Sequence, residues 1–142
     1  MSDTELLMQA VHARENSYCP YSRFAVGAAL LTAEGRVYTG CNIENAAYTP
    51  TNCAERTAFF KAVSSGERNF TAIAVVGGSR DSAAMRFCSP CGVCRQVMME
   101  FCVPDTFRII MGAEKENGGF EIQIRTLQDM LPESFGSGNL EI

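Results

Sequence analysis

The chain has 142 residues, a length that suits one domain with a buried core, and we expect a single domain over 1–142. Twelve basic residues against sixteen acidic ones give a net charge of −4, which argues against nucleic-acid binding because phosphate contacts require a basic surface. The apolar runs are too short to cross a bilayer. The start of the sequence, Met1–Glu5, lacks the features of a secretory signal, so we expect a cytoplasmic protein without a membrane partner.

Apolar periodicity along the chain predicts alternating helices and strands. In chain order the predicted elements are a helix over 4–16, strands over 24–32 and 37–41, a helix over 53–65, a strand over 70–76, a helix over 91–101, strands over 107–111 and 120–124, and a helix over 126–131. The turn over 33–36 joins the first two strands into a hairpin, and 42–52 is a polar loop. Five strands covered by helices predict a layered α/β protein.

Two of the predicted helices begin at cysteines. Thr51 or Asn52 would cap the helix that starts at Cys53. The pair Ser89-Pro90 is a cap followed by proline, and it predicts a helix start at Cys91. A helix N-terminus presents its positive dipole end and free N–H groups, so thiols placed there lose their protons more readily.

The cysteine content indicates a metal site or catalysis. Seven cysteines are an odd number in a chain without an export signal, which disfavours a disulfide scaffold. The single histidine, His12, lies on the predicted first helix, where we expect a surface or packing role. A metal site in this chain must therefore be built mainly from sulfur, and sulfur ligands favour zinc over magnesium or calcium.

The sequence offers three thiolates and one carboxylate for such a site. Cys91 and Cys94 are three residues apart at a helix start and share one face, while Cys53 begins the other helix. Three protein ligands leave the fourth position of a tetrahedral Zn²⁺ ion open, as catalytic sites require. Glu55 follows Cys53 by two residues, close enough to move protons to and from a water molecule there.

Simpler interpretations of the same cysteines exist. Cys91 and Cys94 could form a redox pair, although Pro90 and Glu55 make this less attractive. Cys88 could complete a structural zinc site as a fourth ligand. The remaining three cysteines are expected to be small apolar packing residues: Cys19, Cys41 and Cys102.

Two arginines follow the proposed site residues directly. Zinc with three thiolates carries a net charge of −1, and a cation should compensate it. Arg56 and Arg95 lie in first helical turns, where a cation opposes the helix dipole. We expect one or both to donate hydrogen bonds to ligand sulfurs and withdraw charge from them, with solvent-exposed arginines as the alternative.

Taken together, these segments closely resemble the cytidine deaminases of nucleoside salvage. The matching stretches are Tyr18–Phe24, Val26–Leu30, Gly40–Asn45, Cys53–Thr57, Pro90–Gln96 and Leu131–Phe135. The resemblance covers about residues 4 to 140. It implies a three-layer α/β/α fold with a five-stranded mixed sheet, and one zinc ion per subunit of a homotetramer whose subunits share active sites.

The resemblance also implies roles for individual residues. Cys53, Cys91 and Cys94 would hold zinc, and Glu55 would shuttle protons during hydrolytic deamination of cytidine or 2′-deoxycytidine. Phe24 would pack on the pyrimidine, and Phe135 would reach the base from a neighbouring subunit. The other substrate-binding residues would be Asn42 and Glu44 at the ribose hydroxyls, Ala46 and Tyr48 in the pocket loop, and Ala54 through its backbone.

Without the resemblance, several of these residues have ordinary explanations. Asn42 and Glu44 could simply cap a polar loop, and Phe24 could be a core residue. Phe135 in a glycine- and serine-rich tail indicates docking to something, in cis or in trans. Three rival functions remain: deamination of a related aminopyrimidine nucleoside such as a nucleoside antibiotic, editing of polynucleotides, and a zinc module without catalysis.

Overall fold

The protein is described here from a computed structural model, which covers residues 1–82 and 84–142. Its elements are α1 (Asp3–Arg14), β1 (Phe24–Thr32), β2 (Val37–Cys41), α2 (Ala54–Ser64), β3 (Phe70–Ser79), α3 (Gly92–Phe101), β4 (Arg108–Glu114), β5 (Phe120–Thr126) and α4 (Leu127–Met130), followed by a 3-10 helix at Ser137–Leu140. The predicted order of helices and strands is confirmed. Among the described helices, none has the length and apolar character that crossing a membrane requires.

Three strands extend beyond their predicted ends: β5 by two residues, to Thr126, and β3 and β4 by three residues each. β3 continues to Ser79, because Ser79 pairs with Phe24 of β1. β4 continues to Glu114, because Glu114 pairs with Phe120 at the start of β5. In both places the cross-strand ladder carries the strand past the apolar run from which its end was predicted. The tail predicted to be loose also contains an ordered 3-10 turn.

The five strands form one mixed sheet in the order β2-β1-β3-β4-β5. β1 pairs antiparallel with both β2 and β3, and β4 pairs antiparallel with β5. The central pair, β3 with β4, is parallel. A parallel pair needs a crossover connection, and α3 lies within that crossover. The predicted hairpin and the mixed five-stranded sheet are both confirmed.

Helices cover both faces of the sheet. On one face, α1 buries Leu6, Leu7 and Ala10 against small and branched side chains of β1, β3 and β4. On the other face, α2 and α3 bury Phe59 and Met98 in a second core. The fold is therefore the predicted three-layer α/β/α arrangement. His12 is exposed in the last turn of α1, as expected for a surface residue.

The first turn of α2 packs directly on β2. A Cβ atom at Gly40 of β2 would lie 2.4 Å from the carbonyl oxygen of Ala54 and 2.6 Å from the backbone nitrogen of Ala58. Only glycine allows this approach. The contact fixes the helix start that carries Cys53 and Glu55, so the sheet itself positions that end of α2.

The predicted caps of α2 and α3 are wrong. The N-cap residues are Cys53 and Cys91, both with extended backbone and without a side-chain cap bond. Asn52 donates instead to the hydroxyl of Thr57, at 3.2 Å. The cap positions are occupied by cysteines whose sulfurs take part in a cluster, and this use replaces the hydroxyl or carboxylate that a cap ordinarily supplies.

Candidate active site and metal centre

Three cysteine sulfurs meet where the starts of α2 and α3 come together. The Sγ atoms of Cys53 and Cys91 are 3.8 Å apart, and those of Cys91 and Cys94 are 3.5 Å apart. All three ligand atoms lie within 4.8 Å of one another. Two helix N-termini thus converge on one point, as the sequence predicted for these cysteines.

The spacing of the sulfurs fits a tetrahedral zinc ion. A Zn–S bond of about 2.3 Å at tetrahedral angles places neighbouring sulfurs about 3.8 Å apart, close to the two observed Sγ–Sγ distances. The donor set is also appropriate, because thiolate sulfur selects zinc over hard cations. Cys53, Cys91 and Cys94 are therefore arranged to hold zinc with little rearrangement.

The protonation of the sulfurs shows why the cluster needs a cation. A hydrogen bond from Cys94 lowers the pKa of the Cys53 thiol, and a further one from Arg56 acts in the same direction against the effect of burial. The pKa of Cys94 is raised because its proton is held in the bond to Cys53 and because the thiol is buried. Three adjacent sulfurs do not all ionise unaided, and a divalent cation stabilises all three thiolates.

Cys88 lies beside the cluster and outside the set of three. It lines the same cavity as Cys53 and Glu55, but burial, followed by the charge of Glu55, raises the pKa of its thiol to about 11. Its sulfur is not among the three that lie within 4.8 Å of one another. Cys88 packs over β3, where a Cβ atom at Gly77 would lie 2.9 Å from its sulfur and 3.2 Å from Cε2 of Phe24. Cys88 therefore forms part of the cavity wall.

Glu55 lies in the first turn of α2 and is 4% exposed. Burial raises the pKa of its carboxyl group to about 7, and the negative charge of Cys53 adds to the effect. The carboxyl group faces the cavity that Cys53 and Cys91 also line. A carboxyl that titrates near neutrality beside a metal site can both accept and return a proton.

The two arginines have different partners. Arg56 donates through a terminal nitrogen to the sulfur of Cys53, at 3.1 Å. Its Nε–H is buried without a hydrogen-bond partner in the described part of the chain. Arg95 donates instead to the carbonyl oxygens of Pro90 and Met130, both at 2.8 Å. Of the two arginines, Arg56 therefore contacts a cluster sulfur, while Arg95 stabilises the loop that precedes Cys91.

A cavity of about 340 Å³ opens over Cys53, Cys91 and Glu55. This volume lies within the usual range for a site that holds a small organic molecule. Of the residues expected to bind substrate, the cavity is lined by Phe24, Asn42, Glu44 and Ala54. The ring of Phe24 is 42% exposed, so the expectation of an ordinary core residue does not apply to it.

Asn42 organises the start of β1. Its amide oxygen accepts from the N–H of Val26 at 2.9 Å and from the hydroxyl of Ser17, and its Nδ2 donates to the carbonyl of Phe24 at 2.8 Å. Among the described residues, the second N–H of this amide has no acceptor, so it is available to a ligand. Asn42 therefore fixes the backbone beside Phe24, a role that the polar loop did not reveal in the sequence.

Glu44 is held in place by the turn that precedes β1. Its carboxylate accepts from the backbone N–H groups of Tyr21 at 2.9 Å and Ser22 at 3.1 Å, and from the hydroxyl of Ser22. The hydroxyl bond is the main cause that lowers the pKa of Glu44. Glu44 is an oriented anion that accepts hydrogen bonds. Ser22 is a site residue that the sequence analysis missed, since a serine in a turn carries no distinguishing signal.

Tyr48 lines a second cavity of about 250 Å³, which shares Ser22 and Glu44 with the first. The Tyr48 and Tyr21 rings meet edge to face, with centroids 6.4 Å apart. Tyr48 and Arg23 both adopt left-handed backbone, with φ of 63° and 60°. Such strain in non-glycine residues often accompanies functional loops. Ala46 is exposed in the same loop and stands outside the lining of both cavities.

Phe135 lies on the segment after α4, and its side chain is 59% exposed. It is outside the lining of the cavity in its own chain. The fold brings together the cysteines, Glu55, Arg56 and the residues at the start of β1, and leaves Phe135 pointing elsewhere.

Comparison with known families gives a match that covers most of the chain. The family model for the zinc-binding region of cytidine and deoxycytidylate deaminases matches residues 1–110. This range contains Cys53, Glu55, Cys91 and Cys94.

Individual relatives agree with the family match. A cytidine deaminase from Sporosarcina psychrophila is 47% identical over 99% of this chain and 96% of its own length. Another from Halalkalibacterium halodurans is 51% identical over 92% of this chain and 91% of its own. Among solved structures, a cytidine deaminase from Burkholderia pseudomallei superposes with a TM-score of 0.82 at 43% identity, covering 95% of this chain and all of its own.

Proposed function

The chain belongs to the family of cytidine and deoxycytidylate deaminases, and we propose that it catalyses zinc-dependent hydrolysis of cytidine and 2′-deoxycytidine to uridine and 2′-deoxyuridine plus ammonia, in pyrimidine salvage. The observation that carries this proposal is the placement of the buried Glu55 carboxyl in one cavity with the cysteine cluster. The family description and the fold support the same reaction. One domain supplies the zinc ligands and the proton shuttle, and a neighbouring subunit supplies Phe135.

Glu55 moves the protons of the reaction. When bound by Cys53, Cys91 and Cys94, zinc supplies the Lewis-acid chemistry that makes water nucleophilic near neutral pH. Glu55 takes a proton from the attacking water and delivers it to ring nitrogen N3 as the oxygen adds to C4. Glu55 then takes the second proton of the former water from the oxygen now on C4 and passes it to the exocyclic amine. The C4–N bond breaks as the C4 carbonyl forms, and ammonia leaves.

The surrounding residues orient the nucleoside. Phe24 offers the face of its ring to the pyrimidine. Glu44, fixed by Ser22 and the backbone of Tyr21, accepts from a ribose hydroxyl, and Asn42 contributes its remaining N–H. Ala54 presents its backbone, while Ala46 and Tyr48 form the loop over the sugar.

The lining of the cavity favours a nucleoside over a nucleotide. The residues that line the two cavities, which share part of their walls, include the acidic Glu44 and Glu55 and, within the described part of the chain, no lysine or arginine. A phosphate group would meet negative potential there without a compensating cation. We therefore expect deoxycytidylate, which the family description also covers, to be a poor substrate. Comparing 2′-deoxycytidine with deoxycytidylate tests this, and equal turnover of the two would contradict it.

We further propose that the enzyme is a homotetramer with shared active sites. The ring of Phe135 is exposed in its own chain, as are the rings of Tyr21 and Tyr48 at the mouth of the site, and apolar rings in such positions fit a contact between subunits. Mixing Glu55→Gln subunits with Phe135→Ala subunits, by unfolding and refolding them together, should restore part of the activity. Mixtures no more active than their components would refute sharing.

We place the reaction in the cytoplasm. All seven cysteines are free in this structure, and reduced thiols persist in that compartment. Cell fractionation with an activity assay checks this, and activity confined to the secreted fraction would contradict it.

The direct test of the reaction uses purified protein with cytidine. Ultraviolet absorbance follows the conversion to uridine, and a parallel assay measures ammonia. Activity should disappear with a strong chelator and return with zinc. A related aminopyrimidine nucleoside, tested in competition, decides the substrate, and zinc-loaded protein that releases no ammonia from cytidine would refute the proposal.

A further inference from the structure

The segment that carries Phe135 is attached along α3. Nε2 of Gln96 donates to the carbonyl oxygen of Phe135, at 2.8 Å. One turn further along the helix, the sulfur of Met99 accepts from the hydroxyl of Ser134, at 3.2 Å. Next to the ring residue the chain lies close to the helix, because a Cβ atom at Gly136 would be 3.1 Å from Cε of Met99. Three consecutive residues are thus held on one helix face.

These contacts hold the main chain of Phe135 and leave its ring free. The backbone carbonyl is bound to Gln96, while the side chain remains 59% exposed. An exposed ring on an unattached segment would sample many directions, and ordering it on contact with a ligand would cost conformational entropy. Fixing the carbonyl in advance removes part of this cost. The helix thus fixes the position of the main chain from which the ring projects.

The same helix is anchored at the metal site. α3 begins at Cys91 and contains Cys94, and between Cys94 and Gln96 the side chain of Arg95 ties Pro90 to Met130. Gln96 therefore lies two residues after Cys94, whose sulfur belongs to the cluster. It is also hydrogen-bonded directly to the segment that carries Phe135. The two bonds from Arg95 hold the N-terminal end of α3 in place, and Gln96 binds the segment from there.

We propose that Gln96 is a positioning residue for deamination: its amide fixes the carbonyl of Phe135 so that the ring is directed into the active site of a neighbouring subunit. This inference rests on the proposed function and on its shared sites. Gln96 touches neither substrate nor metal in this role, and acts through Phe135. Its contribution lies in substrate binding, because the ring meets the base and takes no part in proton transfer.

Replacing Gln96 tests the role. Gln96→Met keeps the length and helix preference of the side chain and removes the donor, so KM for cytidine should rise about three- to tenfold, the effect of one lost hydrogen bond. The value of kcat should stay within about twofold, since a lost binding contact raises KM alone. Gln96→Lys restores a donor and should recover most of the affinity. Gln128→Met, at an exposed glutamine of α4, is the matched control and should leave both constants unchanged.

Repeating the Gln96 substitution in a Phe135→Ala variant distinguishes a positioning role from a general effect on the structure. In Phe135→Ala protein the ring is absent, so adding Gln96→Met should produce no further rise in KM, whereas a structural role would add its full effect. If Gln96→Met fails to fold, Gln96→Glu, which has nearly the same shape and no donor, takes its place with the same expectation.

The outcomes distinguish this inference from the function on which it rests. Wild-type protein that does not deaminate cytidine refutes the proposed function, and wild-type KM in Phe135→Ala refutes the shared ring and this inference with it. With both of those intact, a wild-type KM in the Gln96 variant, or an equal rise in KM with and without Phe135, overturns the role of Gln96 alone. A rise that depends on Phe135, with unchanged kcat, supports it.

Discussion

Two buried glutamates lie at opposite ends of α2, and the fold shifts the pKa values of their carboxyl groups in opposite directions. Glu55, in the first turn, is 4% exposed, and Glu67, just beyond the last turn, is 8% exposed. Burial raises the pKa of Glu55 to about 7. The pKa of Glu67 is lowered, with hydrogen bonding to Arg36 as the main cause.

The difference comes from the donors around each carboxylate. The guanidinium of Arg36 contacts both oxygens of Glu67, and the hydroxyl of Tyr38 adds a third bond at 3.0 Å. Glu55 has no comparable side-chain donor within residues 1–82 and 84–142, and the one hydrogen bond that lowers its pKa comes from its own backbone. A buried carboxylate is stabilised when paired and costly when left alone.

The comparison indicates which carboxylate is structural and which is functional. Glu67 fastens the end of α2 to β2 and is fully used by the fold. Glu55 is left in an unfavourable state beside an open cavity, which folding alone does not explain. Its cost is reasonable if the carboxyl must change protonation during a reaction.

Replacing Glu55 should have the largest effect on activity. Glu55→Gln keeps shape and burial but removes the proton carrier, so kcat for cytidine should fall by at least about 10²- to 10⁴-fold. Zinc content and the thermal midpoint should not fall, because the lost group is unpaired. Elemental analysis, steady-state kinetics and thermal unfolding measure these three quantities. A Gln variant with near wild-type turnover would show that Glu55 does not carry protons in the reaction.

The second-largest effect is expected at Arg56, and Arg95 is its matched control. Arg56→Gln removes the donor to Cys53 and should lower zinc affinity about 10- to 100-fold, as the loss of a partner that supports a metal ligand does. Its kcat should fall as well. Arg95→Gln should leave zinc affinity close to that of wild type and lower the thermal midpoint, because the carbonyls of Pro90 and Met130 lose their donor. Competition with a chromophoric chelator measures the affinity, and equal losses in both variants would contradict the assignment.

Glu67 should matter for stability and leave catalysis intact. Glu67→Gln should lower the thermal midpoint by a few degrees at pH 7 while cytidine turnover below that midpoint is unchanged. Since the pKa of Glu67 is depressed in the folded state, its stabilisation is present above the unfolded glutamate pKa of about 4.3 and is lost as the pH falls through the lower folded value. The difference between the two proteins should therefore shrink in that acid range. A difference that is constant from pH 7 to pH 3 would show that the ion pair is not its source.

Cys88 should give the smallest effect. Cys88→Ala removes a wall of the cavity and no ligand, so one zinc per chain should remain and kcat should change by no more than a few fold. Metal analysis of the purified variant checks this. Loss of zinc would show that Cys88 is a fourth ligand, as the structural-zinc interpretation of the sequence required.

The sequence was sufficient for the order of elements and for the cysteine cluster. Apolar periodicity marked α2 and α3, and the spacing of Cys91 and Cys94 placed both sulfurs on one face. The N-caps were predicted wrongly, because Thr51, Asn52 and Ser89 are good caps by residue type, while the cluster recruits Cys53 and Cys91 to those positions.

Long-range contacts account for what the sequence did not reveal. Gly40 and Gly77 determine how closely α2 and Cys88 approach the sheet, and nothing local in the chain marks them. Arg95 reaches the carbonyl of Met130 because α3 packs beside α4, whereas Arg56 turns back to Cys53 at the start of its own helix. Ser22 became visible as the residue that orients Glu44 only once two distant loops were placed side by side.

We expect three cysteine thiolates to hold zinc and to leave one coordination position for solvent beside Glu55. X-ray absorption spectroscopy at the zinc edge on the purified protein tests it most directly. The spectrum should show three sulfur neighbours at about 2.3 Å and one oxygen or nitrogen neighbour at about 2.0 Å. Four sulfur neighbours, or protein purified under reducing conditions that binds no zinc, would contradict it.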